Sequence, residues 1–323
     1  MWKDKKTLWF DLRVEKRRAM KIRALATMLS LITLLFICCT ACSRATPTPA
    51  PPAAVTLVDD AGRTVTITPH PQRLVSLAPN NTEFLFALGL GDKVVGVSDF
   101  SNYPPEAAKI ETVGGMPLNF EKIVALKPEL ILAAGITSPA DVSKLEELGL
   151  TVLVLNPSDI KGIPHSIELV GQATGTEVQA KALAGEIEAR VEAVTHKTGQ
   201  ATEQPRVFLE LDETLYTVGP GSFIDALISM AGGTNIASDA SSPYPQFSAE
   251  EIIRRNPQVI ILADADYGVT PEAVKSRPGW EAISAVKNDA IYPINADIIS
   301  RPGPRIAQGL EALAKIIHPE LFQ

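Results

Sequence analysis

The residues best placed to do chemistry are acids, rings and one acid–guanidinium pair, not a nucleophile with a base. Glu121 and Glu250 head two copies of one pattern. "FEKIVALKPELILA" (residues 120–133) and "AEEIIRRNPQVIIL" (residues 249–262) each place a proline seven positions after the glutamate, then an acid or amide and four apolar residues. An acid in the first turn of a helix favours the helix dipole, and that role alone accounts for the shape. The repetition adds a second reading. If the two halves are related by a pseudo-twofold, Glu121 and Glu250 become matching exposed carboxylates on one face, suited to a symmetric partner with two basic pockets. Asn119 and Ser248 stand where helix caps are wanted, and Glu251 would complete an S-x-x-E capping box.

Two tyrosines and an ion pair form a second group. Tyr103, in "SNYPPEA", lies where a strand passes into a loop. Its ring either packs on the Pro104–Pro105 turn or lies against a flat ligand. Tyr244, in "SPYPQFS", is held between prolines in a rigid loop, which suits a binding surface better than a core. Asp297 and Arg301 are four apart in "NADIISRPGPR", ahead of Arg305 and the last helix. On spacing alone they are a surface ion pair of little worth.

Other chemistry is missing from the pattern. His70, His165, His196 and His318 are scattered without ligand spacing, so no metal site and no cofactor are expected. "GLGDKVVG" follows a helix instead of a strand, the wrong context for a dinucleotide. "GPGSF" lacks the G-x-S-x-G frame, and no phosphate loop with G-K-[ST] occurs. No catalytic constellation is left, and an enzyme is not expected.

Short runs rich in Val, Ile and Leu must carry these residues: "RLVSLA", "KVVGVS", "ELILAA" and "TVLVL", then "RVFLEL", "QVIILA" and "AIYPIN". Helix-like stretches separate them, the alternation of parallel strands covered on both faces. "VTLVDDAGRTVTIT" precedes them as a hairpin around Asp-Ala-Gly. In "NTEFLFALGLG", Asn81 or Thr82 is expected to cap a helix that Gly89 and Gly91 end. Between the halves a short helix ends near residues 171–175. A longer one runs from about Thr176 to His196, with Val178, Leu183, Ile187, Val191 and Val194 as its apolar stripe. The expected fold is α/β: two similar lobes with parallel-rich central sheets, joined by a single long α-helix. Residues 55–160 form the N-terminal lobe, 161–200 the connecting helices and 201–323 the C-terminal lobe.

The N-terminus reads as an export signal. Residues 1–23 carry nine Lys or Arg against three Asp or Glu, and "ALATMLSLITLLFICC" and "TAC" follow. Residues 1–41 are expected to be removed and Cys42 to be acylated; "MKIRALATML" makes Met20 an alternative start. The apolar run, about 17 residues long, is at the short limit for a membrane span. Residues 42–54 read as a lipidated Pro/Thr/Ala tether on the outer side of the cytoplasmic membrane. Cys38, Cys39 and Cys42 are the three cysteines, so the body has no disulfide. Removing the leader's +6 from the chain's −7 leaves −13 for residues 24–323, which argues against nucleic acid as a partner.

The stretches "RLVSLAPNNTEFLFALGLGDKVVGVSDFSNYPPEAAKIETVGG", "NFEKIVALKPELILA", "GPGSFIDALISMAGGTNI", "SPYPQFSAEEIIRRNPQVIIL" and "INADIISRPGPRI" carry a family resemblance. The chain resembles the substrate-binding lipoproteins of ABC importers for vitamin B12 and for iron-siderophore or haem complexes, the vitamin B12 binders above all. The resemblance implies a monomer that captures a corrinoid between its lobes. The partner would be an ABC permease dimer with its ATPase. It implies that Glu121 and Glu250 dock with permease arginines, that Tyr103 and Tyr244 contact the ligand, and that Asp297 and Arg301 hydrogen-bond amide side groups of a corrinoid. "VGGMPLNF" departs from the pattern, with Gly114, Gly115 and Met116 where a B12 binder often has a tryptophan. A ferric siderophore or haem is the alternative ligand, and "RPGPR" also occurs in siderophore binders. A surface-tethered sensing or adhesion module is the alternative from another class.

Overall fold

The computed structural model describes Met20 and residues 53–322, and residues 53–322 make one compact unit. Met20 apart, the expected signal peptide lies outside the described residues, as does Cys42. Among the described residues, no helix is long and apolar enough to cross a membrane.

An antiparallel hairpin, β1 (Val55–Val58) and β2 (Thr64–Ile67), opens the unit as the sequence predicts, pairing Val55 with Ile67. The N-terminal sheet follows: β3 (Leu74–Ser76), α1 (Pro79–Ala87), β4 (Val94–Val97), α2 (Phe120–Ala125), β5 (Leu130–Ala134), α3 (Pro139–Glu147) and β6 (Val152–Leu155). Two helices come next, α4 (Gly162–Thr174) and α5 (Glu177–Thr198). The second sheet is built from β7 (Arg206–Glu210), α6 (Phe223–Met230), β8 (Thr234–Asn235), α7 (Ala249–Arg255) and β9 (Val259–Leu262). Its remaining elements are α8 (Pro271–Lys275), α9 (Ser284–Lys287), β10 (Ile291–Pro293), α10 (Asp297–Ser300) and α11 (Ile306–Ile317).

The strand orders are β4-β3-β5-β6 and β10-β9-β7-β8, and every pairing within both sheets is parallel. Counted within its own lobe, each sheet has its strands in the order second, first, third, fourth. One topology is therefore used twice.

Both faces of each sheet are buried, which is why the strands read as unbroken apolar runs. Leu130 and Leu132 of β5 face a core that continues into the second lobe, while Ile131 and Ala133 face a separate core under α2 and α3. In β9, Val259 and Ile261 face the shared core, and Ile260 and Leu262 face a third one around Trp280. The shared core passes through α4, α5 and α11, so the lobes are not joined by a bare hinge.

Helix α5 has 22 residues, about 33 Å at the helical rise. Its stripe is not quite the expected one. Val178 is exposed; Ile187 and Val194 are buried as expected, Leu183 and Val191 are half-buried, and Ala180 and Ala184 join the stripe. Gly171 of α4 lies so close to Ala180 that any added Cβ would collide with it, and this small-residue contact sets the closeness of α4 to α5. The start of α1 also differs: Pro79 begins it, and Asn81 and Thr82 are buried inside it. The Thr82 hydroxyl bonds Ser76 and Ser101 at 2.8 and 2.9 Å, so tertiary contacts have taken a residue suited to capping.

Candidate ligand cleft and docking carboxylates

In an open parallel sheet, the carboxyl ends of the strands gather at one edge, where ligands bind. The loops after β4, β5 and β6 of the first sheet meet the loop after α10 of the second. Between them lies a hollow of about 500 Å³ lined by Asn80, Phe100, Ile136, Asn156, Arg301 and Pro302, among others. A second hollow, about 410 Å³, is lined by Tyr103, Phe86, Arg190, Glu83 and Arg305.

One polar network around the buried Glu83 joins the two. Glu83, on α1 of the first lobe, accepts from Arg305 Nε at 2.9 Å and Nη2 at 2.7 Å, and lies 3.4 Å from Arg301 Nη1. Arg301 Nη2 reaches Asp297 at 2.7 Å, and Arg301 Nη1 donates to Asn102 Oδ1 at 2.7 Å. Asn102 closes the circuit by donating to Asp297 at 3.1 Å. Burial works against the charge on Arg305, but the paired bonds to Glu83 outweigh it and hold its pKa above the usual guanidinium value. The Arg305 guanidinium also lies 3.9 Å from the centre of the Tyr103 ring. Tyr103 is 43% exposed, so this contact leaves part of the ring open.

The structure thus brings Asp297, Arg301 and Tyr103 into one cluster, with Glu83, Asn102 and Arg305 as members the sequence reading did not single out as such. A charged residue inside the apolar "TEFLF" run was the available signal, since a buried acid needs a partner. Tyr244 stands apart. Its loop is held by Thr217 N–H to Pro245 O and Gly219 N–H to Pro243 O, each at 2.9 Å, and its side chain is exposed. Phe100 was also missed. It is 55% exposed and sets its ring edge against Gly115, where a Cβ would be 2.5 Å from Cε2. The Gly-Gly-Met departure therefore makes room for a ring from the neighbouring loop.

Glu121 and Glu250 lie in the first turns of α2 and α7, and both are exposed. Asn119 accepts from Lys122 N–H at 3.0 Å and Ser248 from Glu251 N–H at 3.2 Å, the expected caps. The second half of the capping box is not used, because Glu251 turns to Arg254 and Arg255. Lys122 likewise pairs with Glu111. Among the described residues, the neighbours are thus tied and the two glutamates make no ion pair. Glu250 is held below the usual carboxylate range by its own backbone N–H and by Ser248.

A last acid cluster sits at the ends of β7 and β9. Glu210, fully buried, receives both arms of Arg277 at 2.5 and 2.6 Å, and Arg277 lies over Trp280. Asp264 is 2% exposed with neither carboxylate oxygen partnered. Burial and the charge of Glu210 push its pKa up to about 6. Among the described residues, no group of three His, Cys, Asp or Glu side chains could hold a metal ion.

Comparison with known proteins gives a consistent set. Residues 74–298 match the family model described as periplasmic binding protein. The chain is 38% identical over 277 residues to the uncharacterized ABC transporter substrate-binding lipoprotein YvrC of Bacillus subtilis, covering 83% of this chain and 87% of that one. The crystal structure of the periplasmic vitamin B12 binding protein BtuF of Vibrio cholerae superposes with a TM-score of 0.69 at 32% identity, covering 79% of this chain and 100% of that one. The periplasmic heme-binding protein RhuT from Roseiflexus sp. RS-1 gives 0.70 at 26% identity, covering 77% and 99%.

Proposed function

Because the chain belongs to the periplasmic binding protein family, whose members serve ABC importers of the vitamin B12, siderophore and haem type, we propose that its cargo is a corrinoid held between the lobes. Members of this family carry a transported ligand and catalyse no reaction, and they work with a permease and its ATPase. The observation that carries the corrinoid reading is the mixed wall of the cleft. Exposed rings, Phe100 and Tyr103, stand beside Asn80, Asn102 and Asn156 and the Asp297–Arg301 pair. A ring-shaped chelate bearing amide side groups needs both flat apolar contact and fixed donors and acceptors. Tyr244 would close over it from the second lobe. Glu121 and Glu250 would dock with basic pockets of the permease, and Cys42 would carry the lipid that holds the protein on the outer side of the cytoplasmic membrane, as a monomer.

Titration of the full chain in detergent with cyanocobalamin, haemin and a ferric siderophore tests this. Cyanocobalamin should bind most tightly; binding of the iron complexes alone would overturn it. Haem is the second reading, since the heme-binding protein RhuT shares the fold, but Arg301 and Arg305 would have to leave Glu83 to meet its carboxylates.

A further inference from the structure

The arginines of the cleft are not free. Arg301 is the one charged residue lining the larger hollow, and its guanidinium is taken by Asp297 on one side and approached by Glu83 on the other. Arg305 gives both arms to Glu83, at 2.9 and 2.7 Å. Two cations thus face two anions within a single cluster. The smaller hollow adds Arg190, which is paired with Glu311 at 3.5 Å. Asp297 begins α10 and Arg301 directly follows it, a local pairing. Glu83 is not local: it reaches across from the other lobe, 218 and 222 positions away in sequence. Its carboxylate is almost wholly buried, so solvent does little to screen its effect on a ligand group beside Arg301.

A negative ligand group near Arg301 would be attracted by one charge and repelled at similar range by Glu83. A ligand without net charge meets donors and acceptors with no such opposition. Resting on the reading of this cleft as the ligand site, we propose that Glu83 sets its charge selectivity. From the opposite lobe it neutralises Arg305 and completes, with Asp297, the neutralisation of Arg301, and so favours uncharged chelates over anionic ones. Sequence neighbours do not supply this, because Asp297 alone would leave one guanidinium unmatched.

The test is the ratio of affinities for anionic and uncharged chelates in the full chain and in Glu83→Gln, which keeps the size and loses the charge. The probes are haemin and ferric dicitrate against cyanocobalamin and ferrichrome. The variant should shift the ratio toward the anionic probes by about tenfold or more, and the shift should shrink as salt is raised. Glu83→Asp, which keeps the charge and is the milder change, should leave the ratio near that of the unaltered protein; a shift there as large as in Glu83→Gln overturns a charge effect. An unchanged ratio in Glu83→Gln, or equal losses for all probes, overturns the proposal and leaves Glu83 a brace between lobes. Failure of cyanocobalamin to bind the unaltered protein would sink the corrinoid reading alone, since ferrichrome then serves as the uncharged reference. If no probe binds the unaltered protein, a gain of haemin binding in Glu83→Gln supports the proposal and its absence overturns it.

Discussion

Glu121 and Glu250 occupy the same place in two copies of one topology: each lies in the first turn of the helix that precedes the third strand of its parallel sheet. Both are exposed, while the charged neighbours Lys122 and Glu251 are engaged elsewhere. A pair placed this way is available to a partner with matching repeats. Replacing either with Gln should weaken docking to the permease and reduce stimulation of its ATPase in proteoliposomes, by about tenfold in association rate for the double variant. Cyanocobalamin affinity should not change. A double variant that stimulates normally would remove the docking role.

Asp264 offers a test in a different observable. Its pKa in the folded protein is about 6, against an ordinary value of 3.8, because burial and the charge of Glu210 oppose ionisation. A raised acid favours the folded state below its unfolded pKa and loses that contribution as pH rises through the folded one. Asp264→Asn should therefore stabilise the protein at pH 8 by up to about 3 kcal/mol, two pKa units being worth roughly that much. The gain should shrink steadily toward pH 4.5 in urea titrations. A difference independent of pH would show that Asp264 does not titrate as described.

Local features were legible in the sequence and distant ones were not. Asn119 and Ser248 cap their helices because the cap needs only the next three residues. The apolar strands were legible because both faces of each sheet are covered. Thr82 misled for a tertiary reason: its hydroxyl finds Ser76 and Ser101, so the helix starts earlier, at Pro79. Val178 breaks the helical spacing: nine positions before Ile187, it lies half a turn round the helix from it and faces solvent. The cleft was half visible. Asp297 and Arg301 are four apart, but Glu83 meets them only after both lobes have formed, and no spacing encodes that contact.

Phe100 and Gly115 should behave as one unit. The ring edge abuts the glycine, and a Cβ would come 2.5 Å from Cε2. Phe100→Ala should weaken binding of cyanocobalamin about tenfold, the scale of one lost ring contact. Gly115→Ala should weaken it comparably by displacing the ring. In the Phe100→Ala background it should have no further effect, the outcome expected when two changes remove one interaction. Additive losses in calorimetry would show that Gly115 acts by another route.

The shared core argues that ligand capture moves the lobes little. Ile187 and Val194 of α5 and Leu310, Leu313 and Ala314 of α11 belong to one apolar cluster with strands of both sheets. Hinge closure concentrates rotation in a few loop residues, whereas here a rotation would have to shear this packing and break the Glu83–Arg305 bonds. Residues 43–323 contain no cysteine, so spin labels on Glu121→Cys and Glu250→Cys would report the separation of these two positions directly. The distance distribution should coincide with and without cyanocobalamin. A shift of several ångströms would mean that the helices slide, and that the permease reads cargo from the spacing of its two contacts.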